Sequence, residues 1–219
     1  MAQSIIKISD LSVSDIKFGN VRKSDKGTKS VYLNHKDGGK LLLKLPPCRA
    51  PFGLSSFKDE KTGSVSYSLG LSVDKPEVAA IFNKINSAVV DFVFAHCEEI
   101  MGKKMSRDIL ADPEIFKFPF KASAKEGYAP VLNLKVITDP KTGVFKTESY
   151  DSSGTDVPLD TLEKGQSVST LIELNQIWRS AMGVGFTYRV HQVKFSATNK
   201  LPSRALVESE DEVEEEEEE

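Results

Sequence analysis

The chain has 219 residues with a formal net charge of −3, 39% hydrophobic residues, two cysteines and three histidines. That length suits one domain with extensions, and the apolar fraction is enough for a core. Two isolated cysteines exclude a disulfide framework and point to free thiols in a reducing compartment. Met1–Asp10 lacks the basic start and long apolar stretch of a signal peptide, and no stretch reads as a membrane span, so a soluble intracellular protein is expected.

The net charge conceals a division. Glu208, Glu210, Asp211, Glu212, Glu214, Glu215, Glu216, Glu217, Glu218 and Glu219 are ten of the 32 acidic residues, which leaves 22 in residues 1–207. All 29 lysines and arginines lie in that same span, so the body carries +7 and the tail −10. A basic body suits an anionic ligand, and the tail suits a competitor for it or a handle for partners. Like charges without apolar residues do not fold alone, so the tail is predicted to be disordered. The predicted boundary near Leu201–Pro202 gives a domain over 1–201 and a tail over 202–219.

In chain order, Ser30–Asn34 and Lys40–Leu45 flank His35-Lys-Asp-Gly-Gly39, a hairpin signal. Leu41, Leu43 and Leu45 share one face, with Lys40, Leu42 and Lys44 on the other. Pro46-Pro-Cys-Arg-Ala-Pro-Phe-Gly53 reads as a proline-stiffened loop. Ser64–Val73 alternates with period two: Val65, Tyr67, Leu69, Leu71 and Val73 on one face, Ser64, Ser66, Ser68, Gly70 and Ser72 on the other. So small a face could receive a flat ligand or simply face solvent.

A long helix is predicted from about Pro76 to Met101, with an Asp74/Glu77 capping box and a stop at Gly102. A short helix follows at Ser106–Ala111. Strands resume around Tyr128–Val136 and Val144–Tyr150, then at about Ser167–Trp178 and Phe186–Ala197. Asp59-Glu-Lys-Thr-Gly63 and Asp139-Pro-Lys-Thr-Gly143 share the chemistry of a tight turn. Strands, one helix after the third strand, then strands again predict a mainly β fold: an oligonucleotide/oligosaccharide-binding barrel with extra strands.

Enzyme chemistry is not supported. His35, His96 and His191 lack metal-ligand spacing, so no metal or cofactor is expected. No phosphate loop or nucleophile elbow occurs. Gly183-Val-Gly185 begins like a dinucleotide fingerprint, but Tyr188 replaces the third glycine and a strand follows.

Rings and cations, by contrast, are interleaved, the combination that binds single strands through phosphate contacts and base stacking. The candidate nucleic-acid-binding residues are Lys40, Lys44, Arg49, Phe52, Phe57, Lys58, Lys117, Phe118, Lys121, Arg179, Tyr188, Arg189 and Lys194. Phe52 either stacks or caps the barrel. Trp178 has the parity of Ile172 and Leu174 and is assigned to the core.

The order of parts resembles that of the podophage-type single-stranded-DNA-binding proteins and their counterparts in large nucleocytoplasmic DNA viruses. The matching pieces are Val31–Leu45, Pro46–Gly53, Ser64–Val73, the helix, Ile172–Trp178, Phe186–Phe195 and Glu214–Glu219. The resemblance implies sequence-independent binding of single-stranded DNA in viral replication, recombination or repair. It also implies an acidic tail that contacts replication proteins such as a polymerase or helicase/primase. Homodimerisation is possible on this reading, and a host nucleus or cytoplasmic replication site would be the setting. Podophage members end in an aromatic residue after the acids, whereas this sequence ends at Glu219. The competing reading is an acidic-tailed chaperone or virion-associated scaffold.

Overall fold

The computed structural model describes residues 5–25, 27–60, 62–123, 126–181 and 183–196. The tail Glu208–Glu219 and the boundary at Leu201–Pro202 lie outside them. The strands before the long helix are β1 (Ile5–Lys7), β2 (Ile16–Phe18), β3 (Arg22–Lys23), β4 (Lys29–His35), β5 (Leu41–Lys44), β6 (Cys48–Arg49), β7 (Leu54–Lys58) and β8 (Val65–Ser72). Helices α1 (Pro76–Ala95), α2 (Cys97–Met101) and α3 (Arg107–Ala111) follow. Then come β9 (Phe116–Lys117), β10 (Phe120–Lys121), β11 (Val131–Val136), β12 (Glu148–Tyr150), β13 (Ser167–Ser180) and β14 (Gly183–Phe195).

The hub is β13. One edge pairs antiparallel with β14 over nearly its whole length. The other edge is taken in turn by β6 at Ser167–Val168, β5 at Leu171–Leu174 and β4 at Gln176–Arg179. From β14 the pairing passes to β11 in parallel, to β8 antiparallel, through Ser72 to Arg49 of β6, and so back to β13. The hydrogen-bonded path therefore closes on itself. Leu41, Leu43, Leu69, Leu71, Leu134, Ile172, Leu174, Phe186 and Tyr188 fill its interior and are all buried.

Helix α1 closes one side of this interior. Val78, Phe82, Ile85, Val89 and Val93 recur at helical spacing and are buried. The Phe82 ring lies 5.1 Å from Phe120 and 5.7 Å from Tyr188. By length and composition α1 would also suffice to cross a bilayer, which the sequence reading overlooked. Its buried face is spent on the sheet.

Several expectations change. The proposed capping box is absent: Lys75 is the N-cap without a side-chain bond, and Asp74 instead accepts the Ser72 hydroxyl at 3.0 Å. The helix breaks at His96, whose backbone leaves the helical region, and α2 carries on to Gly102, which ends it with φ +78°. The hairpin read at His35–Gly39 amounts to one bridge, Asn34 to Lys40, because β4 and β5 both spend their edges on β13. Leu42, assigned to the cationic face, is 4% exposed, since β1 and β13 flank β5 on either side. The proline-stiffened loop contains β6, with Ala50 fully buried. Strand β7 was missed. With β6 it makes five strands from Lys29 up to the helix instead of three. Both Asp-x-x-x-Gly turns form alike: Gly63 and Gly143 donate to the carbonyls of Asp59 and Asp139 at 2.8 Å, each with positive φ.

Candidate nucleic-acid interface

The outer face of the sheet follows from strand alternation. On β8, Leu69 and Leu71 point inward, so Ser66, Ser68, Gly70 and Ser72 point outward. Register carries this face sideways. Ser66 and Ser68 lie opposite Phe57 and Ser55 of β7, and Gly70 and Ser68 lie opposite Asn133 and Lys135 of β11. Lys135 in turn is level with Arg189 of β14. The next outward residues of β14, Thr187 and Gly185, face Gln176 and Trp178 of β13.

This face holds an open depression of about 370 Å³. Phe118, Trp178 and the half-buried Tyr67 are the accessible rings in its lining, Lys117 and Lys135 its cations, and Ser66, Ser68, Asn133 and Thr187 polar groups. Phe118 is braced from behind by Phe116, with ring centroids 4.7 Å apart and planes at 26°. Trp178 lies against Gly185, where an added Cβ would come 2.8 Å from the indole Cζ2 and 2.6 Å from the Lys117 carbonyl. A glycine is required there for β9, β14 and the indole to approach so closely. The Lys117 ammonium donates to the Glu114 carbonyl at 2.8 Å, which fixes it without neutralising it. Lys135 is exposed and has no ion pair among the described residues.

Two more rings share the face. Phe52 is 58% exposed, and its Cδ2 lies 3.6 Å from the position a Cβ on Gly70 would take. The small-sided strand is thus partly roofed by a ring that still presents a surface. Phe57 is 68% exposed, beside Ser66. Lys121 pairs with Val131, which lies opposite the outward Ser72, so it belongs to the same face.

Other predicted residues fall elsewhere. Tyr188 is a correction: it is fully buried between Phe82 and Phe186 and cannot stack on a base. Burial pushes its phenol well above the ordinary range, and the hydroxyl has no hydrogen-bond partner among the described residues. Lys58 and Arg179 have the opposite parity to Phe57 and Trp178, so both point away from the depression. Arg179 donates instead to the Gly183 carbonyl at 3.4 Å. Arg49 lies opposite the outward Ser72 and so shares the outer face beyond the depression, packed against Gly165, where a Cβ would meet its Nη2 at 3.2 Å. Lys40 pairs with Glu173 at 3.4 Å. Lys44 and Lys194 converge on a separate depression.

Trp178 is the residue the sequence reading misplaced. An irregularity in the β13–β14 register at Leu174/Gln176, where Asn175 is the extra residue of β13, resets that strand's alternation. Leu174 and Ile177 both point inward as a result, and Trp178 turns out. Beside it, Glu173 is 6% exposed. Burial opposes its charge, but the His191 hydrogen bond at 2.7 Å and the charges of Lys40 and Arg189 outweigh that and hold its carboxyl below the usual range. Cys48 is buried, which pushes its thiol up to about 11 and leaves it unreactive. No group of three potential metal ligands occurs among the described residues.

No family model matches the chain, and no curated protein matches its sequence. Among solved structures, it is similar to gp2.5, a single-stranded DNA binding protein encoded by bacteriophage T7. The identity is 17% and the TM-score 0.45, over 81% of this chain and 97% of that one. It is also similar to the single-stranded DNA-binding protein from bacteriophage Enc34. That likeness has 15% identity and a TM-score of 0.47, over 90% of this chain and 98% of that one. The Enc34 protein in complex with ssDNA gives 13% identity and a TM-score of 0.47, over 85% and 99%.

Proposed function

We propose that this protein binds single-stranded DNA without sequence preference and without enzymatic activity, on a barrel of the oligonucleotide/oligosaccharide-binding type. The observation that carries the reading is the open depression on the outer face, with Phe118 and Trp178 beside Lys117 and Lys135. Rings on a cationic surface suit a single strand, whose bases are free to stack while its phosphates are neutralised. A duplex hides its base faces and would use only the charges. Arg49, Phe52, Phe57, Lys121 and Arg189 extend the surface, whereas Lys40, Lys58 and Arg179 take no part in it. A soluble role in viral replication, recombination or repair fits such an activity.

Lys135→Glu tests the depression. The side chain is exposed, so folding should be untouched while affinity for oligo-thymidine falls on the order of tenfold at low salt. A variant that binds like the parent would remove Lys135 from the interface.

The acidic run is proposed to compete for this surface and, once displaced, to engage basic patches on replication proteins. Ten negative charges are tethered to a +7 body, so even weak pairing is populated at the high local concentration that tethering gives. Deleting Glu208–Glu219 should tighten single-strand binding at low salt, with full-length and shortened proteins converging as salt rises. Identical affinities at every salt would leave the run a solubility or partner-docking segment.

A further inference from the structure

The face of the β13–β14 ribbon that carries Trp178 continues past Arg189 into a second depression of about 410 Å³, lined by Lys44, Tyr150, Ser169, Gln192 and Lys194 among others. We propose that this depression takes the sugar-phosphate backbone of the same single strand whose bases occupy the first, so that the strand tracks along the ribbon. This inference rests on the single-strand reading above and extends it to a second contact region.

Register places the residues. Lys44 lies opposite Leu171, Lys194 opposite Ser169, and Tyr150 is level with Lys194. Their neighbours Leu43, Val168 and Val193 are buried, so the lysines point outward. Lys7, level with Lys44 on β1, adds a third cation at the rim. None of these three lysines has an ion pair among the described residues.

Three carboxylates adjoin the path; Glu148 and Glu173 are already engaged, and the exposed Asp156, opposite Tyr150, marks the edge that a phosphate backbone would skirt. Glu148 accepts from the Tyr150 hydroxyl and from Gln192, each at 2.7 Å, which holds its carboxyl below the ordinary range and fixes the Tyr150 ring at the rim. Glu173, between the two depressions, is buried and paired with His191 and Lys40, and the half-buried Arg189 lies opposite it, so its charge is compensated there. The nine-residue step from Trp178 to Ser169 spans about 30 Å of strand. A path of that length falls within the range of single-strand sites, roughly 4–16 nucleotides per barrel.

The phosphate backbone is favoured over base stacking here because cations outnumber rings: two lysines line the depression beside one partly exposed tyrosine, with Lys7 on the neighbouring strand. The expected signature is therefore electrostatic and dependent on ligand length.

The test uses the full chain carrying Lys44→Glu and Lys194→Glu together, titrated with thymidine oligomers of about five and about twenty nucleotides. The long oligomer should bind on the order of tenfold more weakly at low salt, and its salt slope should shrink by about 1.4, the value for two lost phosphate contacts. Binding of the short oligomer should change by less than about twofold, since it fills the first depression alone. A charge-matched control, Lys84→Glu with Lys103→Glu on the helical side, should leave both oligomers unaffected. Equal losses at both lengths, an equal loss in the control, or no loss with the long oligomer would each overturn the proposal. Tighter binding would also overturn it, and would assign the depression to the acidic tail. Failure of the single-strand reading has a different mark: Trp178→Ala would then leave short-oligomer binding unchanged.

Discussion

Replacing Trp178 with alanine is expected to weaken oligo-thymidine binding by about 1–3 kcal/mol, roughly 5- to 150-fold, the range for loss of one stacked base. The indole is half-buried against Gly185 with its partner Phe118 across the depression, so one ring lines the path of a base without anchoring the core. Phe118→Ala should behave similarly. Trp178 is the chain's sole tryptophan, so intrinsic fluorescence reports on this position alone. Emission should be quenched when poly-thymidine is added, and the effect should saturate with the same affinity as binding. Gly185→Ala should lower both stability and binding, because its methyl group would meet the Lys117 backbone carbonyl at 2.6 Å as well as the indole at 2.8 Å. An alanine variant that binds as tightly as the parent, together with unquenched emission, would show that no base reaches the indole.

Tyr188→Ala should have the opposite profile. The ring is fully buried between Phe82 and Phe186, and removing such an aromatic costs about 3–5 kcal/mol of stability. Tyr188→Phe should be neutral or stabilising, because the lost hydroxyl leaves behind no partner among the described residues. Binding by Tyr188→Phe should be unchanged. Thermal or urea unfolding of the two variants checks the pair, and a strongly destabilised phenylalanine variant would mean the hydroxyl is bonded after all. The same burial predicts a pH effect. The phenol ionises near pH 10 when unfolded but well above that when folded, so the unfolded state sheds its proton first. Tyr188 therefore contributes no pH dependence below about 10, and stability falls as pH rises beyond that; Tyr188→Phe should blunt the fall.

Much of the fold was legible because it is local. The alternation in Ser64–Val73, the helical spacing from Val78 to Val93 and the glycines ending both Asp-x-x-x-Gly turns are short-range patterns, and each formed as expected. What failed depends on long-range pairing. No local signal tells β4 and β5 to spend their edges on β13 instead of on each other. Strand β7 has two serines and an exposed phenylalanine, and it exists because β8 offers an edge.

At the site, the loop ring Phe52 and, within Phe116–Lys121, Phe118 with Lys117 and Lys121 were readable as surface rings and cations, whereas Phe116 and Phe120 of the same segment are buried in the core. Trp178 and Tyr188 were exchanged for one physical reason. Parity counted from Ile172 and Leu174 assumes an unbroken strand, and the irregularity before Gln176 reverses it. Simple alternation puts Tyr188 on one face with Phe186 and Lys194, but the irregularity at Leu171/Ile172, where β14 carries the extra residue His191, leaves Tyr188 inward with Phe186 and Val190 while Lys194 turns out. A glycine opposite the tryptophan was the one available hint, since Gly185 leaves space that only a large ring lying on the strand would use.

The central claim is single-strand binding by rings and cations together, and one measurement tests it most directly. The full-length protein is titrated with poly-thymidine and with a duplex of matching length across a salt series. Single strands should bind more tightly than duplex at every salt, with a slope of log affinity against log salt of about −3 if about four phosphates are neutralised. Equal or tighter binding of the duplex would contradict the account.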